Sequence, residues 1–562
     1  MVIFFYLETN KPQRVPNQQV AQQQQIVAQP TASESQLNTN SFQAPTNPDI
    51  EREKLVQTAK TYTDNGKTIV KTDLVEIELS HRGARFLSYK LNDFKATIDK
   101  DDLLDIVDKS DPIPPLGVYI GAYDDSQTNY SLVNASTGID YKNDTFTLRG
   151  DQQLTLTFSG IIKNQNLNED VKIEKSITFS NQNYYFSVSI KIDKPIDNAN
   201  IWLEWTSFEA EDSGTRWNPK TFVLLQQSGD RVTVPFQELN DSFKAYQTKW
   251  AVLGDNYFVT AVVPTLQSGQ NTMLSTKRQV NVGAVTFTRL AGDKTFASFD
   301  LYAGPKEEVA LQAKPYGLEQ SIDLGFFAII GQPILIILEL FYSIFHNYGL
   351  AIILLTLLVK TLLLPLTCKS FKSMRAMQEI KPEMDALRAK IKDPNQLNQE
   401  FMALYKRKGV NPMGGGLPML IQMPVFFGMY NALRVSFNLR HQPYALWIND
   451  LAAPEALKLF GINIPIMILI MGAAMFIQQV TTPSPGMSPE QKKMMYITPI
   501  IFTVMFLFWP FPSGLVLYML VNNFISIVQQ VSLRSKSKIT PLQATAMGSV
   551  VIFGVGYILT LL

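Results

Sequence analysis

The uneven distribution of apolar residues constrains the fold of this 562-residue chain more than any other feature. Residues before position 315 are largely polar and rich in Asn, Gln, Ser and Thr, whereas most of the long apolar runs follow that position. A helix that crosses a bilayer needs about 20 consecutive, mostly apolar residues. The second part of the chain is therefore predicted to be a membrane domain, and the mean hydropathy of +0.01 averages two unlike halves.

The N-terminal residues predict no packed structure. Residues 10–58 are dominated by Gln, Pro, Asn and Ser, with too few large apolar side chains to offset the entropy of ordering, and are interpreted as a disordered linker. The run MVIFFYL within residues 1–9 is apolar but much too short to cross a bilayer.

Residues 59–315 show an alternation of apolar and polar side chains, as in Val75, Ile77 and Leu79. A period of two, interrupted by turn signals such as NDT and AGD, indicates antiparallel strands with one buried face. We therefore predict a single all-β sandwich, a fold that commonly has this length as one domain.

The membrane domain is predicted to contain five spans and one segment with two interpretations. Residues 322–346 are apolar but are interrupted by Gln332, Pro333 and Glu339, so they fit either a span or an amphipathic helix on the membrane surface. A further apolar run at 544–562 is a candidate for an additional span. The five clear spans lie at 349–366, 417–435, 462–480, 494–509 and 513–531.

The distribution of basic residues predicts the topology. The segment 369–410 is rich in Lys and Arg, and by the positive-inside rule it is cytoplasmic. This orientation places the β domain outside the cytoplasm, next to the first span. A span at 322–346 would instead make the β domain cytoplasmic, so the surface helix is favoured there.

The cytoplasmic segment 369–410 carries apolar residues every three or four positions, including Met377, Met384 and Leu387, and Asp393-Pro394 interrupts the pattern. The spacing predicts a helical hairpin with apolar stripes. Two interpretations stay open: the two helices pack on each other, or the Met-rich stripe contacts unfolded chains, since Met adapts to irregular partners.

Lys360 is an ionisable residue inside the apolar run GLAIILLTLLVKTLLLPL. A lysine near the centre of a spanning helix is unfavourable by about 2.5 to 3.5 kcal/mol, which predicts that it faces a polar cavity. The alternative is snorkelling, in which the long side chain reaches the headgroups.

Other polar residues in the predicted spans fall into a pattern. Tyr518, Asn522 and Ser526 are four residues apart and form a stripe on one helix face, and Gln422 and Thr503 add polar atoms on two other spans. Each of these residues alone is typical of interhelical hydrogen bonding. Together with a lysine, the set predicts a hydrated pocket between helices.

Motifs for catalysis and metal binding are missing from the sequence. It contains neither G-x-S-x-G nor H-E-x-x-H, and the single Cys368 excludes an intramolecular disulfide. The one catalytic pair that can be built is Thr356 with Lys360, but Thr in an apolar helix usually bonds its own backbone. We expect no enzyme activity, cofactor or metal, and a net charge of +1 gives no reason to expect nucleic-acid recognition.

The motifs NYGLAIILLTLLVKTLLLPLT, LYKRKGVNPMGGGLPMLIQMPVFFGMY, ALWINDL and FPSGLVLYMLVNN, in this order after a large β domain, resemble the bacterial YidC membrane protein insertase family. The resemblance covers residues 60 to 535. It implies a polytopic α-helical membrane protein with a five-helix insertase core and an all-β periplasmic supersandwich, located in the bacterial inner membrane. The implied partners are nascent membrane proteins, the Sec translocon, the translating ribosome and membrane lipids.

The resemblance also implies roles for single residues. A positively charged groove would receive the polar tail of a substrate, with Lys360 standing where the family has an arginine and Thr356 beside it in the lining. Met423, Phe426 and Tyr518 match the helix faces that contact substrate. A hydrophilic groove lined by these groups would insert and fold substrates without covalent chemistry.

Two departures from the family pattern stand out. Residues 1–9 match only the end of the family's first transmembrane segment, which suggests that the chain is truncated there. The apolar run at 544–562 replaces a basic tail, which weighs against ribosome contact through that tail. A transporter or channel with an extracytoplasmic β domain is the alternative, although no inverted repeat is visible.

Overall fold

The computed structural model describes residues 66–561 except for a set of short gaps. These gaps are 99, 108–113, 122, 165–168, 197–198, 209–217, 236–237, 239–243, 266–271, 280–281, 290–293, 412–416, 456, 460–461, 483–488, 510 and 535–540. The predicted N-terminal remnant at 1–9 and the linker at 10–58 lie outside the described residues.

The N-terminal domain is built from strands, as the two-residue period predicts. Their bounds are β1 (Lys67–Lys71), β2 (Val75–Ser80), β3 (Phe86–Lys95), β4 (Leu103–Asp105), β5 (Gly117–Ile120), β6 (Tyr123–Asp124), β7 (Tyr130–Ala135), β8 (Asp140–Lys142), β9 (Thr145–Thr147), β10 (Gln153–Asn164), β11 (Glu169–Ser180), β12 (Tyr185–Ile192), β13 (Ile201–Phe208), β14 (Thr221–Gln226), β15 (Arg231–Pro235), β16 (Lys244–Tyr246), β17 (Thr248–Gly254), β18 (Phe258–Pro264), β19 (Thr272–Gln279), β20 (Val282–Arg289) and β21 (Phe296–Pro305).

These strands form three sheets around one apolar core. Their orders are β4-β3-β2-β1-β9-β8, β15-β14-β17-β18-β21-β12-β11-β10-β7 and β16-β19-β20-β13-β5-β6, and β1 runs parallel to β9 in an otherwise antiparallel arrangement. Phe86 of the first sheet lies 5.4 Å from Phe186 of the second and 6.1 Å from Trp205 of the third, measured between ring centroids. Side chains of all three sheets therefore meet in an extended sandwich.

Buried charges link the sheets inside this domain. Lys175 of β11 is fully buried, and its Nζ donates to Asp125 Oδ2 at 2.8 Å, to the Gly83 carbonyl at 2.7 Å and to the Leu116 carbonyl at 2.8 Å. Arg85 donates to the other Asp125 oxygen at 2.9 Å. Because every charge here has a partner, the network can be buried without leaving an isolated ion.

The C-terminal half is helical. After the short helix α1 (Glu308–Leu311), the elements are α2 (Ala328–Phe345), α3 (Tyr348–Glu379), α4 (Lys381–Lys390), α5 (Pro394–Lys408), α6 (Leu417–Val435), β22 (Leu457–Leu459), β23 (Ile462–Ile464), α7 (Ile466–Thr481), α8 (Pro489–Phe508), α9 (Ser513–Arg534) and α10 (Pro541–Leu561).

Helix α9 lies at the centre of this half. It packs against α3, α6, α7 and α10, while α8 packs on α7, and α2 packs on α3 and α6. Segments of α2, α3, α9 and α10 are long and apolar enough to cross a membrane, and α7 and α8 contain shorter apolar helices. The helical half thus surrounds α9 with apolar helices.

The predicted start of the hairpin is wrong, and the helix that contains the first span is longer than the predicted span. Helix α3 does not end at residue 366 but continues through Pro365 to Glu379, so the start of the predicted 369–410 hairpin belongs to the spanning helix. The helix ends just before Pro382, because proline has no N–H to continue the hydrogen-bond ladder of α3, whereas it is tolerated in the first turn of α4. The hairpin consists of α4 and α5, and Lys408 Nζ bonds Glu383 Oε1 at 2.5 Å.

The predicted start of the span at 462–480 is also wrong. Residues Ile462–Ile464 form β23, paired with β22, and the helix begins only after Pro465. The Glu455 carboxylate accepts from the Met467 N–H at 2.6 Å and so caps the first turn of α7. Apolarity alone could not separate this short strand from the helix.

The β domain contacts the loop between α6 and α7. Arg440 Nη2 donates to the Lys95 carbonyl at 2.7 Å, and its guanidinium lies 4.9 Å from the centre of the Phe258 ring. The Phe437 ring lies 5.4 Å from Phe94 and 5.6 Å from Phe258. One arginine and three aromatic rings therefore join the two halves.

Candidate functional site

Helix α3 positions the lysine of the candidate site. The Asn347 side chain accepts from the Leu350 N–H at 3.0 Å and fixes the start of the helix. Since a helix rises 1.5 Å per residue, Lys360 lies about 18 Å from the start of α3, a helix long enough to cross a hydrocarbon core about 30 Å thick. Only 9% of Lys360 is exposed, which places a positive charge among packed helices.

The polar stripe of α9 faces this lysine. Lys360 Nζ donates to Ser526 Oγ at 2.7 Å, and Ser526 Oγ donates to the Asn522 carbonyl at 2.8 Å. Asn522 and Ser526 are 6% and 7% exposed. The structure therefore brings together three residues that the sequence singles out, across the contact between α3 and α9.

The charge of Lys360 has no counterion among the residues that the structure describes. Within the described part of the chain its ammonium donates to the neutral hydroxyl of Ser526, and no carboxylate forms an ion pair with it. A lysine ammonium has three N–H donors, so this geometry leaves donor capacity at Lys360 beyond the bond to Ser526. Chemically, the arrangement can attract and hydrogen-bond an anionic or polar group that enters between the helices.

A second polar layer lies one turn further along α9, where the four-residue stripe continues to Gln529 and Gln530. Gln530 Oε1 accepts from Thr481 Oγ1 at 2.6 Å, and Gln530 Nε2 donates to Thr482 Oγ1 at 3.0 Å. Gln529 Nε2 donates to Thr545 Oγ1 at 3.2 Å. The spacing of four residues predicts the glutamines as part of the stripe, but nothing in the sequence identifies their partners on α7 and α10.

Two predicted lining residues bond their own helices. Thr356 Oγ1 donates to the Ile352 carbonyl at 2.7 Å, and Thr503 Oγ1 donates to the Pro499 carbonyl at 2.8 Å. Thr503 also lies against Gly472, where a methyl group would clash with its hydroxyl. The structure thus places Thr503 in the contact between α7 and α8 and does not bring it to Lys360.

The predicted substrate rim divides into two kinds of position. Met423 and Phe426 on α6 are half-buried, as is Gln422, and α6 packs beside both α3 and α9. Tyr518 is only 2% exposed, so a substrate would reach it only if the helices around it moved, and its substrate contact stays a prediction. Its position on the same stripe as Asn522 turns it inward among the helices.

The hairpin methionines pack inside the protein. Met377 belongs to α3 and is 9% exposed, and Met384 on α4 is 2% exposed. Both belong to a small core with Phe401 and Leu404 of α5, against which Leu387 also packs. Packing of the helices on each other therefore accounts for Met377 and Met384, and contact of the hairpin with unfolded chains stays a prediction.

Comparison with known proteins identifies the family. The family model described as the 60Kd inner membrane protein matches residues 340–540, and the model of the YidC periplasmic domain matches residues 67–337. The membrane protein insertase YidC of Maridesulfovibrio salexigens is 34% identical over 548 residues, which cover 92% of this chain and 93% of the relative. The chain belongs to the YidC family of membrane protein insertases.

Other YidC relatives show the same relationship. The YidC insertase of Syntrophus aciditrophicus is 37% identical over 481 residues, covering 82% of this chain and 83% of the relative. The YidC insertase of Syntrophobacter fumaroxidans is 38% identical over 379 residues, which cover 64% of this chain and 68% of the relative. The expected family, fold class and inner-membrane location are confirmed, and the strand domain is the periplasmic domain of a YidC protein. The family is one of insertases rather than enzymes.

Proposed function

We propose that this protein inserts and folds nascent inner-membrane proteins through a hydrophilic, positively charged groove between α3 and α9. The observation that carries the proposal is the buried Lys360, bonded to Ser526 and facing no carboxylate among the described residues. An ionisable residue at this depth is unfavourable, and it is expected where it acts on a substrate.

The groove would lower the barrier for a polar tail that has to cross the membrane. Hydrocarbon cannot hydrogen-bond such a tail, whereas Asn522, Ser526 and Lys360 offer polar groups part-way across. A carboxylate about 4 Å from Lys360 would gain about 4 kcal/mol at an effective dielectric constant of about 20. Acidic tails should therefore benefit most.

The apolar part of a substrate would leave along a different surface. Half-buried Met423 and Phe426 on α6 offer an adaptable apolar surface beside α3 and α9. A spanning segment could move along this surface into lipid while its polar tail crosses the groove. Only noncovalent contacts change in this process, so no catalytic group or cofactor is required.

The surrounding elements have proposed roles of their own. Helix α2 exposes Ile329 and Ile336 to 82% and 70%, which suits an amphipathic helix at the outer surface of the membrane. The basic hairpin of α4 and α5 would contact the translating ribosome or the Sec translocon at the cytoplasmic face. Contact through the C-terminal tail is disfavoured, because α10 occupies residues that are a basic tail in the family pattern.

The test is insertion into proteoliposomes. The purified full chain would be reconstituted with a single-spanning substrate that has an acidic tail, and protease protection of the tail would be measured. We expect Lys360→Arg to retain insertion and Lys360→Glu to lose at least tenfold. Equal insertion by both variants would show that the charge at position 360 does not contribute to insertion. No insertion by the wild-type protein would contradict the proposed function itself.

A further inference from the structure

An apolar cavity of about 760 Å³ lies on the side of α9 that faces away from Lys360. Its walls come from α9, α10, the first turns of α7, the loop before α7 and Ile353 of α3. Along α9 it extends from Leu517 to Ser532, which corresponds to about 22 Å of helix. The cavity thus follows most of the thickness of a hydrocarbon core.

The outer wall of the cavity is held in place at two points. Near the start of α10, buried Thr545 accepts a hydrogen bond from Gln529 at 3.2 Å. Near its end, the Tyr444 hydroxyl donates to the Gly556 carbonyl at 3.4 Å. Because α10 is attached to α9 and to the loop before α7, its distance from α7 is fixed, and the gap is part of the fold.

The chemistry of the walls limits what can fill this gap. Side chains such as Phe524, Val528, Val551 and Ile470 line it, and Ser532 is an exception at one end. Water needs two to four polar partners in a cavity, and these walls do not supply them. The occupant must therefore be apolar along most of its length.

The open side of the gap favours a lipid. Val551 of α10 and Ile470 of α7 line it and are 63% and 42% exposed, so the gap opens onto the outer surface of apolar helices, where lipid tails surround the protein. A single hydrocarbon chain fits both the volume and the elongated shape. We propose that the cavity between α7, α9 and α10 is a binding site for one acyl chain of a bilayer lipid.

This site lies directly behind the polar stripe. Helix α9 presents Ser526 toward α3, and Phe524 and Val528 toward the cavity. Without an occupant, the wall of the cavity would lose dispersion contacts on one side. A bound acyl chain would therefore support α9 from behind and hold Ser526 against Lys360.

Two neighbouring valines of α10 provide a matched test. Val551 lines the cavity and is 63% exposed, whereas Val550 is 71% exposed and does not line it. The full-length protein would be reconstituted with a phospholipid that carries a diazirine near the end of its acyl chain. After extraction into detergent and washing, the sample would be irradiated and the labelled peptides mapped by mass spectrometry.

We expect labelling at Phe524 and Val528 to survive washing in the wild-type protein and in Val550→Trp, and to fall at least fivefold in Val551→Trp. The exposed Ile500 on α8 lies outside the cavity and should lose its label on washing. Equal labelling of the two valine variants, or loss of the α9 label together with that at Ile500, would overturn the proposal.

A second pair of variants and a competing substrate segment complete the test. If Val551→Trp does not fold, Ile470→Trp on the opposite wall carries the same expectation, with Leu469→Trp as the exposed control outside the cavity. A photoreactive substrate segment that labels Phe524 and displaces the lipid would show that the cavity takes client helices instead, which contradicts the proposal. None of these measurements depends on insertion activity.

Discussion

The two halves of the protein bury a lysine in opposite ways. In the β domain, Lys175 is fully buried and donates to one carboxylate and several backbone carbonyls. In the helical half, Lys360 is almost as buried but donates to the hydroxyl of Ser526 and meets no carboxylate among the described residues. Burial alone therefore does not reveal the role of a lysine.

The difference lies in the partners. A buried charge whose partners are all protein groups holds elements together, and its removal leaves those partners unsatisfied. A buried charge without a counterion can instead interact with a group that arrives from outside. The β domain thus uses its lysine for structure, whereas the helical half keeps one available for a substrate.

The largest effect should come from removing the paired lysine. Lys175→Met leaves the Asp125 carboxylate buried with one cation fewer, and loss of one partner from a buried ion pair typically destabilises by about 3 to 5 kcal/mol. Denaturant unfolding of the full chain in detergent would measure this change. Lys172→Met on the same strand is the control, because Lys172 is 55% exposed and should be replaceable without measurable loss.

Removing Lys360 from the helical half should lower insertion activity without lowering the stability of the protein. Lys360→Met leaves no carboxylate unpaired among the described residues, so the unfolding midpoint should stay the same or rise. Insertion of a substrate with an acidic tail should fall about tenfold, equivalent to about 1.4 kcal/mol. Lys369→Met, on the exposed continuation of α3, should change neither quantity. If Lys360→Met strongly destabilised the protein, Lys360 would have a structural role like that of Lys175.

A smaller effect is expected at the contact between the halves. Arg440→Ala removes charged hydrogen bonds to the Lys95 and Ala96 carbonyls and the contact with Phe258, which together contribute about 1.5 to 3 kcal/mol at most. Hydrogen exchange should rise at the end of β3, while insertion stays within twofold of the wild type. Unchanged exchange in the variant would show that the aromatic rings alone hold this contact.

The smallest expected effect is a pH dependence of stability at the same contact between the halves. Burial, with a contribution from Arg440 and Lys95, lowers the pKa of His441 from 6.5 to about 4. The folded state therefore disfavours the protonated ring, and this part of the stability is complete above pH 6.5 and is lost as the pH falls toward 4.

His441→Asn is the matched variant for this dependence, because Asn tolerates the positive φ of 57° at this position. Protection factors at β3, which correct for the intrinsic pH dependence of amide exchange, should fall between pH 6.5 and 4.5 more in the wild type than in the variant. Identical pH profiles would remove His441 as the cause, since the nearby Asp450 is present in both proteins.

Local patterns in the sequence predict much of this fold. Alternation predicts the strands of the β domain because one face of each strand is buried, and long apolar runs predict the helices because a membrane admits little else. The stripe of Asn522 and Ser526 also predicts the contact with Lys360, since both lie four residues apart on one helix face.

Features that depend on distant neighbours could not be predicted. Asp125 and Lys175 are 50 residues apart and meet only through the sheet arrangement. The burial of Tyr518 depends on which helices surround α9, and the buried hairpin methionines depend on how α4 meets α5. Periodicity identifies the apolar face of a helix but not the partner that covers it.

The central claim is that the charge of Lys360 acts on the tail of a substrate. The most direct measurement compares insertion of one substrate with an acidic tail and with the matching amide tail, each by the wild-type protein and by Lys360→Met in proteoliposomes. The account predicts that the wild type favours the acidic tail at least fivefold and that Lys360→Met abolishes this preference. An equal preference for the acidic tail in both proteins would contradict it.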